Sequence, residues 1–134
     1  MAAQKPFYLN LQLGLSAAIV IAVSFVYGGN PSVFLPYVFG FEVQDIDLKN
    51  IFRAIMGLYW AFGVFWIVGI YTSQYTRAAL FSNILFMGGL ALGRIISTIL
   101  DGVSPQYVVG LILELLMFGW GVYNLKALNT ATND

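Results

Sequence analysis

Cysteine and histidine are both missing from this chain of 134 residues. Their absence removes disulfides, thiol nucleophiles, thiolate or imidazole metal sites and histidine-ligated haem. No cofactor and no metal centre is expected on these grounds. Charge is nearly as scarce: 9% of the residues are Asp, Glu, Lys or Arg, against about 25% in a soluble domain. The six basic residues balance the six acidic ones, so there is no basic surface to hold nucleic acid. What remains is 60% hydrophobic and 16% aromatic, the composition of an integral membrane protein.

A helix crossing roughly 30 Å of hydrocarbon needs about 20 residues. Four stretches qualify, 7–27, 51–71, 78–100 and 105–125. The expected fold is therefore all-α: a single four-helix transmembrane bundle over residues 1–134, with a long outer loop between the first and second helices. The first stretch follows only Lys5 and lacks a small-x-small cleavage site, so it reads as a retained helix. Local punctuation agrees with these bounds. Gly28, Gly29, Asn30 and Pro31 stop the first helix; Asp47 and Asn50 are cap candidates for the second; Asp101 and Gly102 end the third; Ser104 and Pro105 open the fourth.

Lys5, Arg77 and Lys126 fall on the side of the termini, whereas the opposite loops carry Glu42, Asp45, Asp47 and Asp101 against Lys49. The positive-inside rule then puts both termini in the cytoplasm. Tyr8, Tyr71, Tyr75, Trp120 and Tyr123 gather at the cytoplasmic interface and Tyr27 and Tyr107 at the outer one, as an aromatic belt does.

Against this background two ionisable residues stand out, Arg94 and Glu114, each inside a lipid-spanning stretch. Charge at that depth is costly and is tied to a partner or a task. At about 1.5 Å per residue, Arg53 lies roughly 3 Å, Arg94 about 9 Å and Glu114 about 14 Å inside the outer boundary. Helical phase puts Asn83, Arg94, Ser97 and Asp101 on one stripe, Glu114 with Tyr107, Gly110 and Gly121, and Arg53 with Gly57 and Trp60. The candidate polar cluster, structural or ligand-binding, is Arg53, Arg94, Ser97, Asp101 and Glu114. Ser97 is expected to bond to its own helix or to the pair rather than serve as a nucleophile. The GxxxG spacing of Gly89 and Gly93 and the small pair Gly57 and Ala61 read as ordinary bundle contacts. Residues 28–50 exceed the roughly 15 residues at which structureless loops become rare. Their apolar PSVFLPYVFGF portion reads as an interfacial flap or a cover over the polar cluster, and Pro31 and Pro36 speak against a continuous helix across it.

The runs NIFRAIMGLYWAFG, TRAAL and GGLALGRIISTILDG, the ELL of the last helix and the loop YGGNPSVFLPYVFGFEV resemble the DUF4345 family of short four-helix bacterial membrane proteins. The likeness covers almost the whole chain. Its most specific parts are R-A-x-x-G-L-Y at residues 53–59 and G-R-x-x-S-x-x-x-D-G at residues 93–102. The four-helix plan is similar, more distantly, to DoxX-like proteins, some of which are small subunits associated with quinone-linked oxidoreductases. The family resemblance implies a bacterial cytoplasmic (inner) membrane protein and carries no established activity.

Function must then come from the residues, and two readings compete. In the first, the chain is a structural or accessory subunit of a larger membrane complex or a homo-oligomer, with Arg94 and Glu114 as an internal staple that fixes helix register. In the second, membrane lipids are the partners: an Arg–Glu pair leaves one guanidinium free for the anionic or carbonyl-bearing head of a lipid, quinone or isoprenoid. Proton transport is disfavoured because the inner half offers only neutral groups such as Asn10, Gln12 and Asn83, and no inverted repeat is present. Catalysis would have to rest on Glu114 or Asp101 as acid or base. No spacing in the chain specifies such chemistry, so the reading leans away from an enzyme.

Overall fold

The computed structural model describes residues 7–131; Lys5 lies outside the described residues, as do residues 132–134. Helix α1 is Phe7–Gly28, α2 is Pro31–Phe39, α3 is Ile46–Tyr71, α4 is Thr76–Asp101 and α5 is Pro105–Ala131, with a single 3-10 turn, Ser73–Tyr75, between α3 and α4. Among the described residues there is no strand. Helices α1, α3, α4 and α5 are long and apolar enough to span a membrane, which makes this a membrane protein.

Their sequence explains both the helices and their outward faces. Leu9, Leu13, Ala17 and Val20 of α1 recur at helical spacing and are buried. Ile99 and Leu100 of α4 and Leu116 of α5 are instead well exposed, as suits a surface solvated by lipid tails. Because those tails are as apolar as leucine, helices in lipid associate by close packing and polar contacts rather than by hydrophobic burial. Two glycines on α3 make the close packing possible. A Cβ at Gly63 would stand 2.7 Å from Ile21 Cγ1 of α1, and one at Gly69 would collide with the Ala79 methyl of α4. Beside Gly69, the Thr76 hydroxyl donates to the Gly69 carbonyl at 2.8 Å and pins the α3–α4 turn.

The four long helices form a ring in the order α1, α3, α4, α5. Packing is most extensive between α1 and α3 and between α4 and α5, and lighter where these two pairs meet. That unevenness leaves openings between the pairs.

Three features depart from the sequence reading. The connection between α1 and α3 is not a long loop: residues 31–39 form α2. Pro31 stands at its first turn, where a missing N–H is harmless. Pro36 costs one backbone hydrogen bond, and the helix ends one turn later on Gly40, which takes a left-handed conformation at φ 76°. Second, α3 begins at Ile46 rather than at residue 51. Its cap is Asp45, not Asp47 or Asn50: the Asp45 carboxylate accepts from the backbone N–H of Asp47 at 2.7 Å and of Leu48 at 3.3 Å. Third, α5 continues to Ala131, past the expected end at residue 125.

Candidate functional site

Helices α4 and α5 form an antiparallel hairpin closed by Gly102, Val103 and Ser104. Gly102 supplies the φ of 98° that the turn requires. Arg94 lies about 10 Å before the end of α4 and Glu114 about 14 Å after the start of α5. The hairpin therefore brings them side by side. Arg94 Nε donates to both Glu114 oxygens at 2.8 Å, the one ion pair among the described residues. The Glu114 side chain is 9% exposed and that of Arg94 22%.

The contact has an unusual consequence. Bonding through Nε does not use the Nη donors, as a fork-to-fork pair would. The Tyr27 hydroxyl lies beside the guanidinium, and the Tyr107 ring sits under Arg94 Cζ with its centroid 4.9 Å away. The guanidinium packs against α5 at Gly110, where a Cβ would meet Nη2 at 3.6 Å, an ordinary contact distance.

Arg94 forms a shared wall between two clefts. One, of about 440 Å³, opens among α3, α4 and α5 and is lined by Phe52, Ile55, Gly89, Gly93 and Leu111. The other, of about 260 Å³, lies between α1 and α5 and is lined by Val20, Val23, Leu113 and Glu114. Tyr27, Tyr59, Leu90 and Tyr107 border both. An aromatic stack roofs the second cleft: Phe39 of α2 lies 4.8 Å from Tyr107 and 5.8 Å from Tyr27, nearly parallel to each. The connector thus reaches across the bundle mouth to the ring beneath Arg94.

Of the other members of the expected cluster, Ser97 shares a cleft with Arg94 and Arg53 does not. Ser97 donates to the Asp101 carboxylate at 3.1 Å on the exposed end of α4, and Ser97 also borders the larger cleft. It is Thr98 that bonds back to its own helix, at the Arg94 carbonyl, 2.8 Å away. Arg53 is exposed and lines a separate surface pocket with Ile46, Lys49, Asn50 and Ala54. The early start of α3 puts it two turns inside that helix, on the outer face. Without Arg53 the central pair is electrically neutral.

Two expectations about small and aromatic residues also change. Nothing stands within 4 Å of a Cβ at Gly57, Gly89 or Gly93, so these glycines are not bundle contacts; the last two floor the larger cleft. Tyr27 is buried, and Tyr107 half-buried, so both belong to the Arg94 site rather than to an aromatic belt. Phase could have revealed Tyr107, which shares the Glu114 stripe, but Tyr59, on α3, carried no signal beyond its place in the R-A-x-x-G-L-Y run.

A second polar layer lies toward the α3–α4 turn. Gln12 of α1 donates to Asn83 of α4 at 2.7 Å and reaches the Met117 carbonyl of α5 at 3.4 Å. Ser16, 3.4 Å from the Gln12 amide, is buried, as is Asn124, one turn past Gly121 on α5. Among the described residues no group of three or more acidic side chains converges to hold a metal.

The fold and site define a class: a small polytopic membrane protein whose four-helix bundle holds a partly buried Arg–Glu pair between two clefts. Residues 8–125 match the family described as a domain of unknown function, DUF4345, and the chain belongs to that family. No curated protein and no solved structure matches it.

Removing one partner of a desolvated pair leaves the other uncompensated, whereas replacing both with apolar residues does not. Glu114→Leu alone should lower stability by about 3 kcal/mol, and adding Arg94→Met should restore most of it. Unfolding equilibria in mixed micelles measure these variants and Arg94→Met alone; a loss in the double variant equal to the sum of the two single losses would show the two side chains to be uncoupled.

Proposed function

We propose that this protein is a membrane-embedded binding module, in which the clefts beside Arg94 receive the polar head of a lipid, quinone or isoprenoid and its tail lies among the helices. One observation carries the reading. Arg94 is held by Glu114 through Nε and lines two clefts of mainly apolar and aromatic residues, the mixture of shape and sparse polar groups typical of ligand sites.

The neutrality of the pair narrows the ligand. An anionic head would meet Glu114 as well as Arg94, at close quarters and in a medium of low dielectric. A neutral head with carbonyl or hydroxyl acceptors takes the Nη donors without that repulsion. Tyr27, Tyr59 and Tyr107 add hydroxyls and flat faces for a ring or an ester group.

A second reading, an accessory subunit of a larger membrane complex or a homo-oligomer, is favoured by Gly57 on α3, which meets no neighbour. It leaves a place for another helix to approach. Native mass spectrometry of the protein from its own membranes tests both readings. Binding predicts co-purified neutral amphiphiles that are lost from the folded Arg94→Met, Glu114→Leu variant. Unchanged lipids in that variant, with a stoichiometric protein partner in both, would replace the first reading by the second.

We further propose that the protein resides in a bacterial inner membrane with both termini in the cytoplasm. Lys5, Arg77 and Lys126 on the side of the termini support this, set against two basic residues, Lys49 and Arg53, on the other. Because the chain has no cysteine, single cysteines report cleanly. In intact cells an impermeant maleimide should label Gln44→Cys and spare Ser73→Cys; the reverse pattern would invert the topology.

A further inference from the structure

The bundle has two polar layers. Between the Arg94–Glu114 pair and the layer around Gln12 stand Val20, Met87 and Met117, all buried and apolar. The second layer contains no ionised group: Gln12, Ser16, Asn83 and Asn124 are 0% exposed, while Arg77 and Lys126, at the same end of the bundle, are on the surface.

The hydrogen bonds inside this layer are incomplete. Gln12 spends its Nε2 on Asn83 Oδ1, with longer contacts to Ser16 Oγ and the Met117 carbonyl at 3.4 Å. Gln12 Oε1, Asn83 Nδ2 and both the Oδ1 and Nδ2 of Asn124 are buried with no protein partner. Orphaned amide groups are costly in any interior and more so where lipid, not water, surrounds the helices. The unmatched atoms are complementary in kind. Gln12 Oε1 and Asn124 Oδ1 accept; Asn83 Nδ2 and Asn124 Nδ2 donate.

Geometry brings three helices to this place. A Cβ at Gly121 would stand 3.5 Å from both Gln12 Nε2 and Asn83 Oδ1, so α5 offers bare backbone to the amides of α1 and α4. Asn124 lies one turn farther along the same α5 face. Glu114, on that face toward the other end, is committed to Arg94.

We propose that Gln12, Asn83 and Asn124 form a binding site for structural water, which completes the polar network joining α1 to α4 and α5. Water is the ligand whose chemistry fits: it is neutral, small, and both donates and accepts, and a buried water makes about three hydrogen bonds with such groups. An ion is excluded by the mixture of donors and acceptors and by the absence of a countercharge. The site stands independently of any amphiphile at Arg94. Its effect falls on the light α1–α5 contact, which the Gln12 bridge reinforces.

Nuclear Overhauser spectroscopy of the isotope-labelled protein in bicelles, near pH 5 to slow amide exchange, reads the site directly. The side-chain amide protons of Asn83 and Asn124 should show water cross-peaks with the sign of a long-lived complex. In Asn124→Leu the Asn83 cross-peak should vanish while the Gln12–Asn83 contact persists; Asn124→Ser, which keeps a donor and an acceptor, should retain it and serves if the leucine variant does not fold. Absence of the cross-peaks, a direct Gln12–Asn124 amide contact in their stead, or an Asn83 cross-peak that survives Asn124→Leu would each overturn the proposal.

Discussion

A charged side chain within hydrocarbon has to find its partner inside the protein, and this bundle meets that demand at one point, between Arg94 and Glu114. Much of the outer half follows from it. The pair needs α4 and α5 in register, which the short turn at Gly102 provides, and the guanidinium lies against α5 at Gly110. It also needs a wall of residues that tolerate a cation on one side and lipid on the other. Tyrosine suits that position, with an aromatic face for the guanidinium and a hydroxyl for the polar edge.

The same constraint connects structure to function. Packing is tight within the α1–α3 and α4–α5 pairs and looser between them, so the seams open into clefts at the level of Arg94. A staple alone would be served as well by a fork-to-fork contact buried from both sides. Here the carboxylate straddles Nε, and Arg94 lines both clefts. Phe39 couples this arrangement to α2, whose buried Leu35 faces the bundle and whose Val33, Phe34 and Tyr37 are exposed. The connector thus touches both the mouth of the site and the surroundings.

Much of this was legible in the chain, for physical reasons. Long apolar runs bounded by glycine, proline and capping residues allow few folds in lipid, because the backbone must satisfy itself; the four spans were read accordingly. Arg94 and Glu114 were legible because charge is conspicuous there, and counting from the shared turn put them at similar depth. Arg53 stands apart from the pair because it lies on the exposed face of α3, which a count of depth does not report. The short helix α2 was hidden by its prolines, one of which occupies the turn where proline is tolerated. Gly89 and Gly93 were read as contacts because spacing reports a face and not what meets it. The amide layer was harder to see: Gln12, Asn83 and Asn124 are neutral, lie on three helices, and become a unit only when the bundle closes.

The site turns on the state of one guanidinium, tied to Glu114 at Nε, with Tyr27 and Tyr107 beside it and a cleft on either side. Magic-angle-spinning NMR in lipid bilayers, with ¹⁵N-labelled arginine and ¹³C-labelled glutamate, measures it most directly. A strong dipolar coupling between Arg94 Nε and the Glu114 carboxyl carbon, with weaker couplings from both Nη nitrogens, is the expected result. Strong coupling to the Nη nitrogens would mean a fork contact in place of the Nε bond, and no coupling at all would mean that the pair does not form.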